Sequence, residues 1–277
     1  MKTLRCGLIG DHISQTRLPA ALELMCRDVG IELRFELIDT AEMQEFEFAQ
    51  FVDGLRAKGW DGVTVTHPYK QAAADYAGDG MAAELYHLGA SNTLVFGDRL
   101  TGFNTDYSGF LSAWKTQMEN TPVGVVALAG AGGVARAIAP ALVELGASEI
   151  RIFDTLAESA HDLASRIGPR ATIVSPDQWP DAIRGADGLV NATPLGMGYK
   201  PGTAFAADLI GTQSWSFDAV YTPTDTQFLN DCSGAGLRIL TGFDLFKHMA
   251  MRSFQAYTGV WPDPDVTLSN LTVLRPD

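Results

Sequence analysis

The stretch VVALAGAGGVARAIA, residues 125–139, decides the fold. Its first five residues carry no charge and read as a strand buried on both faces. Glycines at 130, 132 and 133 then turn the chain, and a helix is expected over 132–145, closed by Gly146. G130-A-G132-G-V-A135 has the spacing GxGxxA between a strand and a helix. The first glycine permits a tight turn. The second lets backbone approach a diphosphate, and the small third residue lets helix pack on strand. The helix N-terminus offers N–H groups and partial positive charge to an anion.

A glycine-rich turn alone could belong to any α/β protein. The next strand, EIRIFD (149–154), sharpens the reading because it ends on Asp154. An acid at that distance bonds the hydroxyls of an adenine ribose. The same acid could instead cap the following helix, expected over 156–167. TLAES (155–159) contains no Lys or Arg. A 2′-phosphate would therefore face Asp154 and Glu158 without a cation. The expectation is a dinucleotide site formed by Gly130, Ala131, Gly132, Gly133, Val134 and Asp154, for NAD in preference to NADP.

Strands and helices alternate outward from this motif. LRCGLIG (4–10), ELRFELID (32–39) and GVTVT (62–66) read as strands, with helices over 19–27 and 43–57. TLVFGDRLTGFN (93–104) reads as a hairpin turning at Gly97-Asp98, and a helix follows over 107–118. Beyond EIRIFD, the runs ATIV, GLVNAT and SFDAVY continue the strand series. Apolar residues at 243, 245, 246, 249, 250, 254 and 257 predict a closing helix over 242–259. The expectation is an α/β fold of two units with largely parallel sheets. The segment WPDPDVTLSNLTVLRPD (261–277) carries no clear signal.

The chain of 277 residues is long enough for two domains, and 46% hydrophobic with 19% charged residues is a globular composition. A net charge of −13 opposes binding to nucleic acid or anionic membranes. No apolar run reaches the ~20 residues of a spanning helix, and the first residues are too short an apolar run for a signal peptide. Cys6, Cys26 and Cys232 lack CxxC spacing and read as reduced thiols of a cytoplasmic protein. The five histidines lack metal-ligand spacing, so no metal is expected.

In GVTVTHPYKQ (62–71), Lys70 follows a strand end, where open α/β sheets place their ligands. Asp106 closes TGFNTD. A nicotinamide enzyme acting on an alcohol needs a group to move the hydroxyl proton, and a lysine can do this. By spacing alone, a solvated charge at a helix start is the stronger reading of Lys70.

The chain resembles the shikimate dehydrogenase family, which includes quinate/shikimate dehydrogenases, along nearly its full length. The matching pieces are GLIG (7–10), T-x-L-P (16–19), TVTHPYK (64–70), GASNT (89–93), GFNTD (102–106), GAGGVARA (130–137), NATPLGM (191–197), DAVYTPTDTQFL (218–229) and GFDLF (242–246). The resemblance implies a split N-terminal α/β substrate domain, 1–106 plus 242–277, and a Rossmann NAD(P)-binding domain, 107–241, with the active site in the interdomain cleft. It implies hydride transfer on shikimate, quinate or a related cyclic hydroxy acid, with Lys70 as acid/base and Asp106 paired to it. Thr66, Asn92 and Tyr221 should line the substrate pocket. Asn191, Ala192, Thr193, Ala219 and Gly242 should lie along the nicotinamide side. A monomer or homodimer is expected.

Several pocket positions depart from the family pattern. S-x-S-P becomes Thr16 and Leu18, the Asn of N-V-T-x-P becomes Thr64, and the Gln of the closing helix becomes Met249. A pocket that buries a ligand's polar group without a partner pays ~1–3 kcal/mol for each. Arg17 or Lys247 could supply a compensating cation. The chemistry thus matches the family more closely than the pocket does. A methylenetetrahydrofolate-dehydrogenase-like enzyme and a non-catalytic NAD-binding module are the alternatives.

Overall fold

A computed structural model of the protein describes residues 2–276. The chain runs β1 (Lys2–Gly10), α1 (Leu18–Asp28), β2 (Ile31–Asp39), α2 (Phe48–Ala57), β3 (Gly62–Val65), α3 (Lys70–Ala77), β4 (Thr93–Phe96), β5 (Leu100–Phe103) and α4 (Thr105–Gln117). It continues with β6 (Val125–Ala129), α5 (Ala135–Glu144), β7 (Glu149–Phe153), α6 (Ala157–Ile167), β8 (Ala171–Ile173), α7 (Trp179–Arg184), β9 (Gly188–Asn191), β10 (Trp215–Asp218), α8 (Gln227–Gly234), β11 (Arg238–Thr241), α9 (Gly242–Thr258) and α10 (Pro264–Leu271). Two compact units form: Met1–Gly109 with Lys247–Leu274, and Phe110–Phe246 with Arg275–Asp277. Both main divisions fall inside helices, α4 and α9. No helix among the described residues is long and apolar enough to cross a membrane.

The first unit holds a five-stranded sheet in the order β2-β1-β3-β4-β5. β1 runs parallel to β2 and β3, and the β4–β5 hairpin is antiparallel. All four residues of β3 are buried, which explains its unbroken apolar and β-branched composition. α1 buries Leu18, Ala21, Leu22, Met25 and Cys26, the i, i+3, i+4, i+7, i+8 stripe of one helix face. The helix expected over 43–57 begins only at Phe48. Ahead of it, the Phe46 ring turns onto Phe51 and Tyr69, with centroids 5.1 and 5.0 Å away, so burial of this ring replaces another helical turn.

The second unit is a six-stranded, wholly parallel sheet in the order β11-β10-β9-β6-β7-β8. This is the doubly wound order, and its direction of winding reverses between β6 and β9. Phe110 meets Phe217 edge-on at 5.0 Å, and Trp114 meets Trp215 at 4.7 Å, seating the second part of α4 against β10. Strand reversal leaves a crevice at the carboxyl ends of β6 and β9, where open sheets of this type bind ligands.

Candidate active site

In the first unit the winding reverses between β1 and β3, and the candidate acid/base pair lies at that edge. Lys70 opens α3 directly after β3, and Asp106 lies in the first turn of α4 after β5. Lys70 Nζ donates to Asp106 Oδ2 at 2.6 Å, with both side chains largely buried. Backbone bonds tie the surrounding segments together: Ser91 N to Lys70 O, Val65 N to Asn92 O and Asn92 N to Phe103 O.

Asn92 is 2% exposed, and its orientation is set by its carbonyl. Asn92 Oδ1 accepts from Thr105 N at 2.7 Å, Thr105 Oγ1 at 3.0 Å and Thr93 Oγ1 at 3.1 Å. Three donors on one oxygen fix which end of the amide is which, and Nδ2 makes no hydrogen bond among the described residues. Thr105 Oγ1 also meets Ser253 Oγ on α9 at 3.0 Å, and Ser253 Oγ donates to Met249 Sδ at 3.5 Å. Met249 thus ends a polar chain that begins at Asn92. Asn104, absent from the sequence expectations, donates to Ala90 O and accepts from Tyr107 N, which fixes the turn into α4. Its position between a strand end and an acidic first helical turn was a readable cap signal.

The departures from the family pattern lie in different settings. Thr16 Oγ1 accepts from Leu18 N at 3.3 Å. Leu18 is 2% exposed, a core residue of α1 with almost no surface to offer a ligand. Thr64 Oγ1 is 2.7 Å from the hydroxyl of Tyr257 on α9, both buried, so its hydroxyl serves the fold. Thr66, two residues on, has no side-chain partner among the described residues and is half-buried.

In the second unit, Gly130 takes φ +93°, and a Cβ there would stand 2.8 Å from the carbonyl of Ala192. Only glycine lets the loops after β6 and β9 approach so closely. Gly132 faces open space, and the N–H groups of Gly132, Gly133 and Val134 make no internal hydrogen bond among the described residues. Open N–H groups ahead of α5 fit a diphosphate. Asp154 accepts from Ala131 N at 2.7 Å through Oδ2 and from Leu156 N at 2.8 Å through Oδ1. It therefore braces the glycine turn and the entry to α6, while Leu156 is the residue at the N-cap. A groove of about 580 Å³ opens beside it, lined by Phe153, Asp154, Ile173, Val174 and Gln178 among others and by no Lys or Arg. Arg136 pairs with Asp162 at 3.0 Å.

Sequence reasoning missed a buried hub in this unit. Asp218 is fully buried at the end of β10. Its Oδ1 accepts from Asn191 Nδ2 and Val220 N, each at 2.9 Å, and Oδ2 accepts from Thr226 Oγ1 at 2.6 Å. Asn191 Oδ1 in turn accepts from Thr193 N and Oγ1, and Ala219 N donates to Asn191 O. Burial pushes the Asp218 carboxyl up to about 6, against the three bonds that lower it. Tyr221 stacks on Phe246 with centroids 5.5 Å apart, and Gly242 lies so close to the Ala219 carbonyl that a Cβ would come within 2.6 Å. No cluster of three or more metal-ligating side chains exists among the described residues.

Residues 8–94 match the model of the shikimate dehydrogenase substrate binding domain. A quinate/shikimate dehydrogenase (NAD(+)) of Corynebacterium efficiens is 36% identical over 266 residues, covering 93% of each chain. The chain belongs to the shikimate dehydrogenase family. A second family member, the shikimate dehydrogenase (NADP(+)) of Streptomyces avermitilis, is 34% identical over 97% of this chain and 94% of its own. Among solved structures, the family's quinate dehydrogenase from Corynebacterium glutamicum, in complex with NAD, superposes with a TM-score of 0.90. It is 32% identical and covers 99% of this chain and 100% of its own. Within the family, relatives are thus named for both nicotinamide cofactors.

Proposed function

We propose that this protein is an NAD-dependent dehydrogenase that interconverts a hydroxyl and a ketone on quinate, shikimate or a related cyclic hydroxy acid. The single observation that carries the reading is the 2.6 Å Lys70–Asp106 pair, with Asn92 bonded to Thr105, the residue before Asp106. NAD, when bound, supplies the hydride acceptor for alcohol oxidation. Lys70 Nζ takes the hydroxyl proton in oxidation and returns it to the carbonyl oxygen in reduction. Asp106 holds that ammonium group in place through Oδ2, and its Oδ1 is available to a substrate hydroxyl. Asn92 Nδ2 and Thr66 Oγ1 bond further ring oxygens, while Thr16, Tyr221 and Met249 bound the ligand.

The glycine turn and open N–H groups of Gly132, Gly133 and Val134 hold the diphosphate, and Asp154 holds the adenine ribose. Asn191, Ala192, Thr193, Ala219 and Gly242 support the nicotinamide end. Preference for NAD follows from charge. An added phosphate would meet Asp154 and a groove without a cation. A relative whose structure is solved in complex with NAD supports the same choice. Three unpaired, buried cysteines accord with a cytoplasmic enzyme.

The test is initial-rate absorbance of reduced nicotinamide, with NAD and NADP each offered quinate, shikimate and a panel of cyclic polyols. Turnover with NAD and at least one ring hydroxy acid is expected. Faster turnover with NADP would remove the cofactor assignment. NAD binding without turnover of any ring alcohol would instead favour a cofactor-sensing module.

A further inference from the structure

Asp218 is the last residue of β10 and is 0% exposed. Its register partners are Asn191, the last residue of β9, and Thr241, the last residue of β11. A side chain with no surface cannot touch a ligand. It acts on the site only through the residues bonded to it.

Those bonds reach both loops that leave the sheet at this point. Oδ1 accepts from Asn191 Nδ2 and from Val220 N, each at 2.9 Å. The first bond turns the Asn191 amide so that Nδ2 also donates to Leu195 O at 3.0 Å, while Oδ1 accepts from Thr193 N and Thr193 Oγ1 at 3.1 and 2.7 Å. The second fixes the chain between Ala219 and Tyr221 as it leaves β10. Oδ2 accepts from Thr226 Oγ1 at 2.6 Å, and Thr226 Oγ1 accepts from Leu229 N at 3.2 Å, which ties the far end of that loop to the start of α8. One carboxylate therefore joins residues 191–195 to residues 219–226. Thr193, Ala219 and Tyr221 are half-buried, so the surface open to a ligand lies on the residues that are held.

Two glycines extend the cluster to the neighbouring strand ends. Gly130, after β6, packs on the Ala192 carbonyl, and Gly242, after β11, packs on the carbonyls of Ala219 and Asp218, where a Cβ would stand 2.6 and 2.9 Å away. Burial alone does not explain a carboxylate at the centre. An apolar side chain of similar size would fill the space without the cost of desolvating a charge. It could not accept three donors from two loops. A buried polar group whose bonds are all made fixes one arrangement of its neighbours, and a ligand site needs that support behind it.

We propose that Asp218 is the positioning residue of the nicotinamide half of the cofactor site, its carboxylate holding the loops after β9 and β10 in the one arrangement that receives the nicotinamide. The inference rests on the dinucleotide reading given above. It adds that affinity for the nicotinamide, and not for the adenosine diphosphate portion, depends on this buried acid.

The test compares two ligands on the full-length protein: NADH, followed by its fluorescence, and ADP-ribose, which lacks the nicotinamide, followed by calorimetric titration. Asp218→Ala leaves Val220 N and Thr226 Oγ1 without their acceptor and releases the Asn191 amide. It should weaken NADH binding roughly tenfold or more while ADP-ribose binds as it does to wild type. Asn191→Ala breaks the first bond from its other end and should show the same selective loss. Asp218→Asn keeps an acceptor for Asn191 Nδ2 and Val220 N and should bind both ligands as wild type does. Circular dichroism identifies the folded variants. A residue serving only the fold would lower both affinities by one factor, through the folded fraction. Equal losses for the two ligands, or no loss, would therefore overturn the proposal. So would failure of both alanine variants to fold, which would assign the carboxylate to the fold alone. Wild type that binds neither ligand would remove the dinucleotide reading itself, and this proposal with it.

Discussion

Lys70 Nζ lies 2.6 Å from Asp106 Oδ2, although 36 residues separate the two in sequence. The contact brings together the first turns of α3 and α4, each starting at the same end of the first sheet. Neither side chain has the exposure of a solvated surface charge.

Lys70→Ala should lower kcat by about 10²–10⁴-fold, the range for a lost general acid or base. Asp106→Ala should cost a similar factor. Because the two act as a unit, the double variant should lose little more than either single variant. Steady-state rates on the preferred substrate decide this. Multiplied losses in the double variant would show that the residues act separately.

Asp154→Ala should raise the NAD dissociation constant and narrow the discrimination against NADP by roughly tenfold, since a bond to a charged group is worth ~1.5–3 kcal/mol. It should also lower the melting temperature, because Ala131 N and Leu156 N lose their acceptor. Calorimetric titration with both cofactors reads the first effect and thermal unfolding the second. A loss of stability with an unchanged affinity ratio would leave Asp154 a brace only.

Local patterns made the second unit legible: the glycine spacing at 130–135 predicted the turn, and the alternation of strands and helices predicted a largely parallel sheet. The acid/base pair was different. Nothing in the spacing of Lys70 and Asp106 says that they touch, because strand pairing across the sheet sets that distance. Only the family resemblance joined them. α10 was missed although Asp263 accepts from Asp265 N and Val266 N and Pro264 opens the helix. This is a cap and first-turn proline, and only the short apolar stripe behind it hid the element. The hub at Asp218 was invisible for another reason: beyond the local bond from Val220 N, its side-chain partners are distant in sequence. The bonds to Asn191 and Thr226 exist only once β9, β10 and the start of α8 are assembled.

Thr64 and Tyr257 should show strong energetic coupling. Tyr257→Phe or Thr64→Val leaves a buried hydroxyl without its 2.7 Å partner, at a cost of about 1–3 kcal/mol. The double variant should cost less than the sum. Thr64→Asn should overfill the site against Tyr257 and destabilise the protein by about 1–3 kcal/mol without raising shikimate turnover. Denaturant unfolding of the four variants measures these terms. Additive losses would show that the hydroxyls do not bond in solution.

Asp218 should give the protein a distinctive dependence of stability on pH. Its carboxyl is raised from an ordinary 3.8 to about 6 in the folded protein, chiefly by burial. Below about pH 4 both folded and unfolded states hold the proton. Between about pH 4 and 6 the folded state holds it while the unfolded chain has released it, so stability falls as pH rises through this window. Above about pH 7 both states are ionised and the contribution is flat. The integrated loss is about 3 kcal/mol. Carboxylates such as Asp162 and Glu149, lowered chiefly by bonds to Arg166 and Arg151, act with the opposite slope. Comparison with Asp218→Asn removes their effect, since the amide cannot titrate and still accepts from Asn191 Nδ2 and Val220 N. Guanidinium unfolding from about pH 4 to 7 should show wild type losing stability relative to Asp218→Asn as pH rises. A constant difference across that range would show that Asp218 titrates near its ordinary value.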